Sequence, residues 1–256
     1  MSNLVRRLAT SYQAYPRRVP GWLGVGDAAV ITLLSKLQHD LGYIGSILEI
    51  GVYHGKSAIL LGGLLSSQET LEVCDVFDLE NLSRENFFEN RRFYKGLRQS
   101  QFEQNYLHFF SELPVIHSCP SSELSSRLAG RKFRLIHIDG SHLHENVIGD
   151  ISTAMQSLAI GGLIVFDDWA HSDHPGVAAA IWETVRDLEL IPVLATDMKM
   201  YAIIRSNGGV GDDMTEGIHR IFRAHQAFDS FEHIIRGKKL LQVRLKGKTR
   251  RNSICF

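Results

Sequence analysis

The stretch Leu48-Glu49-Ile50-Gly51-Val52-Tyr53-His54-Gly55-Lys56-Ser57 joins an apolar run to a segment with apolar residues at helical spacing. Gly51 allows a sharp turn after a strand, and Gly55 allows the following helix to begin close to a ligand. The N–H groups at such a helix start favour an anionic or polar group, either a phosphate or a carboxylate. The GxxxG spacing lacks residues that dinucleotide-binding and P-loop motifs require. A simple packing turn is the alternative interpretation.

Short β-branched runs alternate with longer amphipathic segments from residue 45 onward, which predicts an α/β fold with a mostly parallel sheet. Seven strands are predicted, at Ser46–Ile50, Leu71–Val76, Pro114–His117, Phe133–Ile138, Gly162–Phe166, Leu190–Ala195 and Met200–Ile204. The clearest helices are Lys56–Leu65, Glu145–Leu158 and Val177–Leu188. Only Thr196–Lys199 joins the last two strands, so an antiparallel hairpin is predicted there. The dinucleotide-binding fold stays parallel to its edge.

The chain is predicted to have three regions. Residues 1–44 form a helical cap, with a helix at Asp27–Leu41 that packs on the sheet edge or covers the site. Residues 45–205 form the α/β core, with an insertion at 79–112. Residues 206–256 follow a glycine-rich boundary and contain a helix at Met214–Ile235 and a basic tail, which is a solvated edge strand or a frayed end.

Composition restricts the class of partner. Of the 256 residues, 28 are Lys or Arg and 28 are Asp or Glu, so no global field attracts nucleic acid or an anionic membrane. No apolar run approaches membrane-spanning length. Cys74, Cys119 and Cys255 fit no metal-ligand spacing and suit a reducing compartment. We therefore expect a cytoplasmic protein with a small-molecule partner, and homo-oligomer formation is left open.

An acidic residue is expected at the end of the second strand, where it can accept hydrogen bonds from both hydroxyls of a ribose. Asp75 stands 24 positions after Gly51 (75 − 51) and fits this place, and Asp78 is the competing choice. The loop after the third strand, which contains Ser121, is predicted to edge an adenine ring.

Four ordered motifs resemble class I S-adenosylmethionine (SAM)-dependent methyltransferases, most closely small-molecule O-methyltransferases that include macrolide-sugar enzymes. The motifs are ExGxxxGxS at 49–57, the acid Asp75, Ile138-Asp139-Gly140-Ser141-His142, and the segment 161–169 that contains Asp167 and Asp168. The resemblance covers about residues 45–205. It implies a three-layer Rossmann-like fold and a SAM cofactor, with Glu49 and Gly51 beside the methionine portion and Asp75 on the ribose. The other residues of the predicted cofactor site are Tyr53, Gly55, Ser57, Ser121 and Asp139.

Three carboxylates follow neighbouring strands of the predicted sheet. Asp139 ends the fourth strand, Asp167 and Asp168 end the fifth, and adjacent parallel strands present their carboxyl ends to one crevice. Clustered like charges require a proton or a cation. A hard divalent cation takes oxygen ligands of this kind, so Mg²⁺ is predicted to bind here and to orient an acceptor hydroxyl or vicinal diol. The alternative is that these aspartates cap the following helix and turn.

His142 is predicted to be the catalytic base, and Asp139 is predicted to be a catalytic residue beside it that helps to activate the acceptor. His142 lies three residues after Asp139, and an unperturbed imidazole has a pKa of about 6.5. The resembling sugar methyltransferases also place a histidine at this position. A histidine that merely bonds to a neighbouring carboxylate is the alternative. His171 and His174 are expected to contact substrate rather than zinc. Trp169 either stacks on a ligand or fills the core.

These features predict transfer of a methyl group from SAM to a hydroxyl of a small natural product or sugar, with Mg²⁺ assistance. Two alternatives remain. One is a metal-independent SAM methyltransferase that acts on nitrogen or oxygen, and the other is a non-catalytic SAM- or nucleotide-binding module.

Overall fold

The computed structural model describes residues 19–77, 96–186, 190–204, 212–235 and 237–246. The strands are β1 Ser46–Ile50, β2 Leu71–Asp75, β3 Val115–Ser118, β4 Phe133–Ile138, β5 Leu158–Phe166, β6 Leu190–Ala195, β7 Met200–Ile204, β8 Phe228–Ile235 and β9 Lys238–Leu245. The helices are α1 Val25–Asp40, α2 Lys56–Gly62, α3 Gln99–Leu107, α4 Leu124–Leu128, α5 His144–Ser157, α6 Pro175–Arg186 and α7 Asp212–Ala224, with a 3-10 turn at Ser121–Glu123. The seven predicted core strands are all found near their predicted places.

The described strands form one sheet in the order β3-β2-β1-β4-β5-β7-β6-β9-β8. Strands β3, β2, β1, β4 and β5 run parallel to one another. Strand β7 runs antiparallel to β5 and to β6, so the predicted hairpin is confirmed, with Ala195 paired to Met200. The carboxyl ends of β1, β2, β4 and β5 consequently lie along one edge of the sheet.

Helices cover both faces of the sheet because successive strand residues point to opposite sides. Ile47 packs in one buried cluster with residues of α1, α2 and α7, whereas Leu48 packs in a second cluster with residues of α4, α5 and α6. Strands buried on both faces are near-continuous apolar runs, as the sequence of β1 and β4 shows. The architecture is therefore the expected α/β fold in three layers.

The C-terminal region differs from its prediction. The sheet has nine described strands of mixed orientation rather than seven, and the helix predicted at Met214–Ile235 ends at Ala224. Residues Phe228–Ile235 form the edge strand β8, and β9 lies inside it, parallel to β6. Gly237, with φ of +75°, turns the chain between the two strands. Apolar residues of β8 recur at every third position, a spacing that is also found in helices, so this segment was predicted to be helical.

Helix α1 packs on a face of the sheet, not on its edge. Arg134 of β4 is completely buried and donates hydrogen bonds to Ser35 and Gln38 of α1, both at 3.0 Å, and to Glu69 at 2.7 Å. Residues 78–95, which include Asp78 and half of the predicted insertion at 79–112, lie outside the described residues. Of the helices described, none is long and apolar enough to cross a membrane.

Candidate active site

The glycine-rich turn between β1 and α2 has a left-handed backbone at Gly51, Tyr53 and Gly55, with φ of +86°, +51° and +91°. A Cβ atom on Gly51 would stand 1.9 Å from the carbonyl oxygen of Asp139, so only glycine fits where the chain segments after β1 and β4 meet. A Cβ atom on Gly55 would stand 2.7 Å from the ring of Phe102. Packing against this ring is therefore a second explanation for Gly55, beside the predicted approach of a ligand.

Asp75 closes the turn from the end of β2. Its Oδ2 atom accepts hydrogen bonds from the backbone N–H groups of Val52, at 2.7 Å, and Tyr53, at 2.9 Å. Its Oδ1 atom accepts one from the N–H of Phe77 at 3.3 Å. Asp75 thus stands where the sequence predicted an acid, and it also shapes the turn. Since a carboxylate has about four acceptor positions, about one is left for a ribose hydroxyl.

Ser121 begins the 3-10 turn after β3 and lies beside Asp150 of α5. Burial raises the pKa of Asp150 to about 7, and a hydrogen bond with Ser121 opposes this shift. The Oδ2 atom of Asp150 has no hydrogen-bonding partner among the described residues, and it lies 3.3 Å from the position of a Cβ atom on Gly140. The predicted adenine edge therefore contains a buried acid that sequence reasoning missed.

Glu49 ends a chain of three buried polar side chains. Lys199 Nζ lies 2.9 Å from His137 Nε2, and His137 Nδ1 lies 2.8 Å from Glu49 Oε1. Because a lysine ammonium can only donate, Nε2 is the acceptor and Nδ1–H donates to Glu49. Burial lowers the pKa of His137 to about 3 and raises that of Glu49 to about 8. The Oε2 atom of Glu49 has no hydrogen-bonding partner among the described residues.

The side chains of the three predicted metal ligands do not lie in one cluster. Asp139 and Asp167 form a group with His137, in which one donor atom from each lies within 4.8 Å of the others. Lys199 Nζ lies 2.5 Å from Asp167 Oδ2 within this group. Burial raises the pKa of Asp139 and the charge of Asp167 raises it further. Asp168 belongs to a different group, because its side chain meets two histidines instead.

A single carboxylate oxygen of Asp168 is hydrogen-bonded to both His142 and His174. This Oδ2 atom lies 3.1 Å from His142 Nε2 and 3.0 Å from His174 Nδ1. Burial alone would raise the pKa of Asp168. The hydrogen bond with His142 and the charges of His142, His174 and His171 outweigh burial and lower this pKa below its ordinary value. The carboxylate is therefore ionised and accepts from both rings. Asp168 has a left-handed backbone with φ of +55°, which a non-glycine residue adopts at a cost of about 1–2 kcal/mol.

The same histidines are stacked rather than arranged around an ion. The rings of His142 and His174 have centroids 3.6 Å apart and planes only 11° from parallel. An imidazole nitrogen binds a metal through a lone pair in the plane of its ring. Two nearly parallel planes at this separation cannot both contain one ion. In this geometry His142, Asp168 and His174 form a hydrogen-bonded cluster rather than a metal cage.

Two aromatic residues near the site have defined neighbours. Trp22, which sequence reasoning missed, is exposed and stacks on Tyr53 of the glycine-rich turn with ring centroids 5.2 Å apart. The Nε1–H of Trp169 donates to the carbonyl oxygen of Thr196 at 3.1 Å, and its ring meets Trp182 edge-on. Trp169 therefore joins the loop after β5 to the hairpin of β6 and β7, which favours its structural role.

A parallel sheet that ends in an antiparallel hairpin, with a glycine-rich turn after β1 and an acid after β2, is the class I methyltransferase architecture. Residues 48–169 match the family model of a methyltransferase domain. The solved O-methyltransferase NovP superposes with a TM-score of 0.60 at 16% identity, over 72% of this chain and 81% of that chain. The SAH-bound methyltransferase PaMTH1 of Podospora anserina superposes with a TM-score of 0.52 at 14% identity, over 77% and 88% of the two chains.

At these identities the superpositions show the fold alone, and a comparison with curated protein sequences finds no significant match. The family match, the sheet order and the glycine-rich turn agree with one another. Residues 48–169 therefore match a methyltransferase domain, and the described residues have the fold of class I methyltransferases.

Proposed function

We propose that the chain transfers the methyl group of SAM to a hydroxyl group of a small molecule. The observation that carries this proposal is the pair formed by His142 and Asp168, at 3.1 Å, at the carboxyl ends of β4 and β5. A histidine oriented by a carboxylate is an arrangement suited to proton removal near neutral pH. His142 follows β4, which lies next to β1, whose glycine-rich turn is the predicted cofactor site, and Asp168 follows β5 on the other side of β4.

The cofactor is proposed to lie along the ends of β1, β2 and β4. Glu49 Oε2, which is buried and lacks a partner among the described residues, would accept a hydrogen bond from the methionine ammonium group of SAM. Asp75 would accept one from the ribose, and Ser121 would border the adenine. Gly51, Tyr53, Gly55, Ser57 and Asp139 remain proposed members of this site.

The proposed chemistry needs alignment and one proton transfer. Asp168 accepts the Nε2–H of His142, so the lone pair of the imidazole is on Nδ1. His142 takes the proton of the acceptor hydroxyl, the oxygen attacks the methyl carbon, and the carbon–sulfur bond breaks to leave S-adenosylhomocysteine. Because the sulfonium is already activated, positioning and proton removal are the main contributions of the protein.

The Mg²⁺ expected from the sequence does not fit the donor set as it is arranged. An ammonium group lies against Asp167, and Asp168 accepts hydrogen bonds from two imidazoles. Mg²⁺ prefers oxygen ligands in an octahedral shell, whereas the group around Asp139 includes the nitrogen of His137. The arrangement favours the metal-independent alternative, and no step above uses a metal.

The acceptor is proposed to be a natural product or a sugar, as the resemblance of the four motifs to small-molecule and sugar O-methyltransferases implies, and the pair His142–Asp168 suits a hydroxyl proton. Incubating the protein with methyl-labelled SAM and a panel of hydroxylated acceptors tests this. We expect label on a hydroxyl oxygen. Calorimetry with SAM, S-adenosylhomocysteine and NAD is the parallel test. SAM binding without transfer to any acceptor would favour a non-catalytic module, and a preference for NAD would contradict the cofactor assignment.

A further inference from the structure

The ammonium group of Lys199 lies within a set of three side chains that could bind a metal ion. His137, Asp139 and Asp167 each offer one nitrogen or oxygen, and these atoms lie within 4.8 Å of one another. Lys199 Nζ is 2.5 Å from Asp167 Oδ2 and 2.9 Å from His137 Nε2. The charge of Asp139 also acts on it. A cation that belongs to the chain itself therefore contacts two of these three ligands.

We propose that the ammonium group of Lys199 takes the place of a divalent cation at this site and makes the reaction independent of metal. Lys199 is thus a positioning residue, because it acts through Asp167, His137 and Glu49. Its part in turnover rests on the proposed methyl transfer. Its competition with a metal ion is a property of the folded chain and can be measured without cofactor or acceptor.

The position of Lys199 is fixed by its backbone. The N–H of Lys199 donates to Thr196 Oγ1 at 2.8 Å, and its carbonyl oxygen accepts from the N–H of Thr196 at 2.8 Å. The next residue, Met200, pairs with both Phe166 and Ala195 in the sheet. The side chain is only 1% exposed. A buried charge is tolerated only when it is paired, so leaving this pocket would cost Lys199 its partners.

The charge of Lys199 is maintained in the pocket. Burial lowers the pKa of its amine, but the carboxylates of Asp167, Asp139 and Asp27 outweigh burial and hold the pKa above its usual value. The ammonium neutralises carboxylates that would otherwise repel each other. It also fixes the tautomer of His137, which in turn holds Oε1 of Glu49 and leaves Oε2 for the cofactor.

Removing the ammonium should create a metal site. In Lys199→Met, His137 Nε2 and the two aspartates lose their internal cation, and a nitrogen with two carboxylates is a ligand set that suits Mn²⁺. Lys199→Arg keeps the positive charge. Lys36→Met is the matched control, because Lys36 pairs with Asp40 at 2.6 Å on the surface.

The experiment measures free Mn²⁺ by electron paramagnetic resonance during titration of the full chain after EDTA dialysis, with circular dichroism to establish folding. We expect Lys199→Met to bind one Mn²⁺ at least about tenfold more tightly than the wild type, whereas Lys199→Arg and Lys36→Met behave like the wild type. Calorimetry should give the same SAM affinity for the wild type in EDTA and in Mg²⁺.

Two results would overturn the proposal. One is stoichiometric micromolar binding of Mn²⁺ or Mg²⁺ by the wild type. The other is a folded Lys199→Met chain that gains no Mn²⁺ affinity. If Lys199→Met does not fold, the wild-type titration and Lys199→Gln decide by the same criteria. If the wild type does not bind SAM, the proposed function is refuted. This result is independent of the metal titration, so failure of the proposed function and failure of this proposal are distinguishable.

Discussion

The Oδ2 atom of Asp168 accepts hydrogen bonds from both His142 Nε2, at 3.1 Å, and His174 Nδ1, at 3.0 Å. One carboxylate thereby orients two stacked imidazoles. Burial and the neighbouring His142 lower the pKa of His174, which keeps the second ring neutral near pH 7. A neutral ring beside His142 repels a proton on His142 less than a charged ring would. It stabilises that proton less than a carboxylate does.

The first prediction concerns proton removal by His142. Replacing it in His142→Gln should lower kcat by about 10²–10⁴-fold, the usual contribution of a general base, while SAM affinity stays unchanged. Turnover with an acceptor from the labelled-SAM screen and calorimetry with SAM measure the two quantities. His144→Gln is the control, since His144 is bonded to Glu183 on the surface. Full turnover by His142→Gln would exclude this histidine as the base.

The second prediction concerns Asp75 and the shape of the turn. Asp75→Ala removes three hydrogen bonds to backbone N–H groups and the proposed ribose acceptor. We expect SAM affinity to fall by about 10–100-fold, because the ribose would lose a hydrogen bond to a charged group, worth about 1.5–3 kcal/mol. Calorimetry measures the loss. Asp197→Ala, which removes an exposed partner of Arg244, should change nothing, and an equal effect in both variants would contradict the assignment.

Sequence patterns predicted the parts of the site that stand at strand ends. The turn at Gly51, the acid Asp75, and the aspartates after β4 and β5 all lie along one edge of the sheet, because the periodicity of the strands fixes where they end. The direction of each carboxylate was not predictable. Asp167 and Asp168 are adjacent in sequence, yet the left-handed backbone at Asp168 separates their partners.

The residues that sequence reasoning missed depend on long-range packing. Lys199 stood in a link taken for a simple hairpin turn, and its contact with His137 depends on the register of β7 beside β5. His137 lies in a run of mostly apolar residues, and Asp150 lies in an amphipathic helix, so neither was recognised as a site residue. The signal available for His137 and Asp150 was a polar residue at a position whose spacing predicts burial, and such residues need a partner that sequence alone does not identify.

The third prediction uses the buried carboxyl group of Asp150. Its pKa is about 7 in the folded chain against an ordinary value of 3.8, so the folded chain binds the proton more tightly than the unfolded chain does. Stability is therefore lost as the pH rises from about 4 to about 7. Asp150→Asn removes this titration. The free energy of unfolding of Asp150→Asn minus that of the wild type should therefore be larger at pH 8 than at pH 5, by up to about 3 kcal/mol.

Urea unfolding of both chains at the two pH values measures this difference. Asp40→Asn serves as the control, because Asp40 is an exposed surface residue paired with Lys36. A stability difference between Asp150→Asn and wild type that is the same at pH 5 and at pH 8 would contradict the prediction.

The fourth prediction separates two effects of glycine by comparing Gly51 with Gly96. Both have a left-handed backbone, with φ of +86° and +79°, so alanine should cost each about 1–2 kcal/mol. Gly51 is crowded, because its Cβ atom would stand 1.9 Å from the carbonyl oxygen of Asp139, whereas no described residue comes within 4 Å of a Cβ atom on Gly96. Gly51→Ala must therefore displace the backbone at Asp139, at a further cost of about 1–3 kcal/mol, and it should also abolish SAM binding. Urea unfolding and calorimetry on both variants measure this, and equal losses in the two would mean that conformational strain alone, and not the contact with Asp139, requires glycine at position 51.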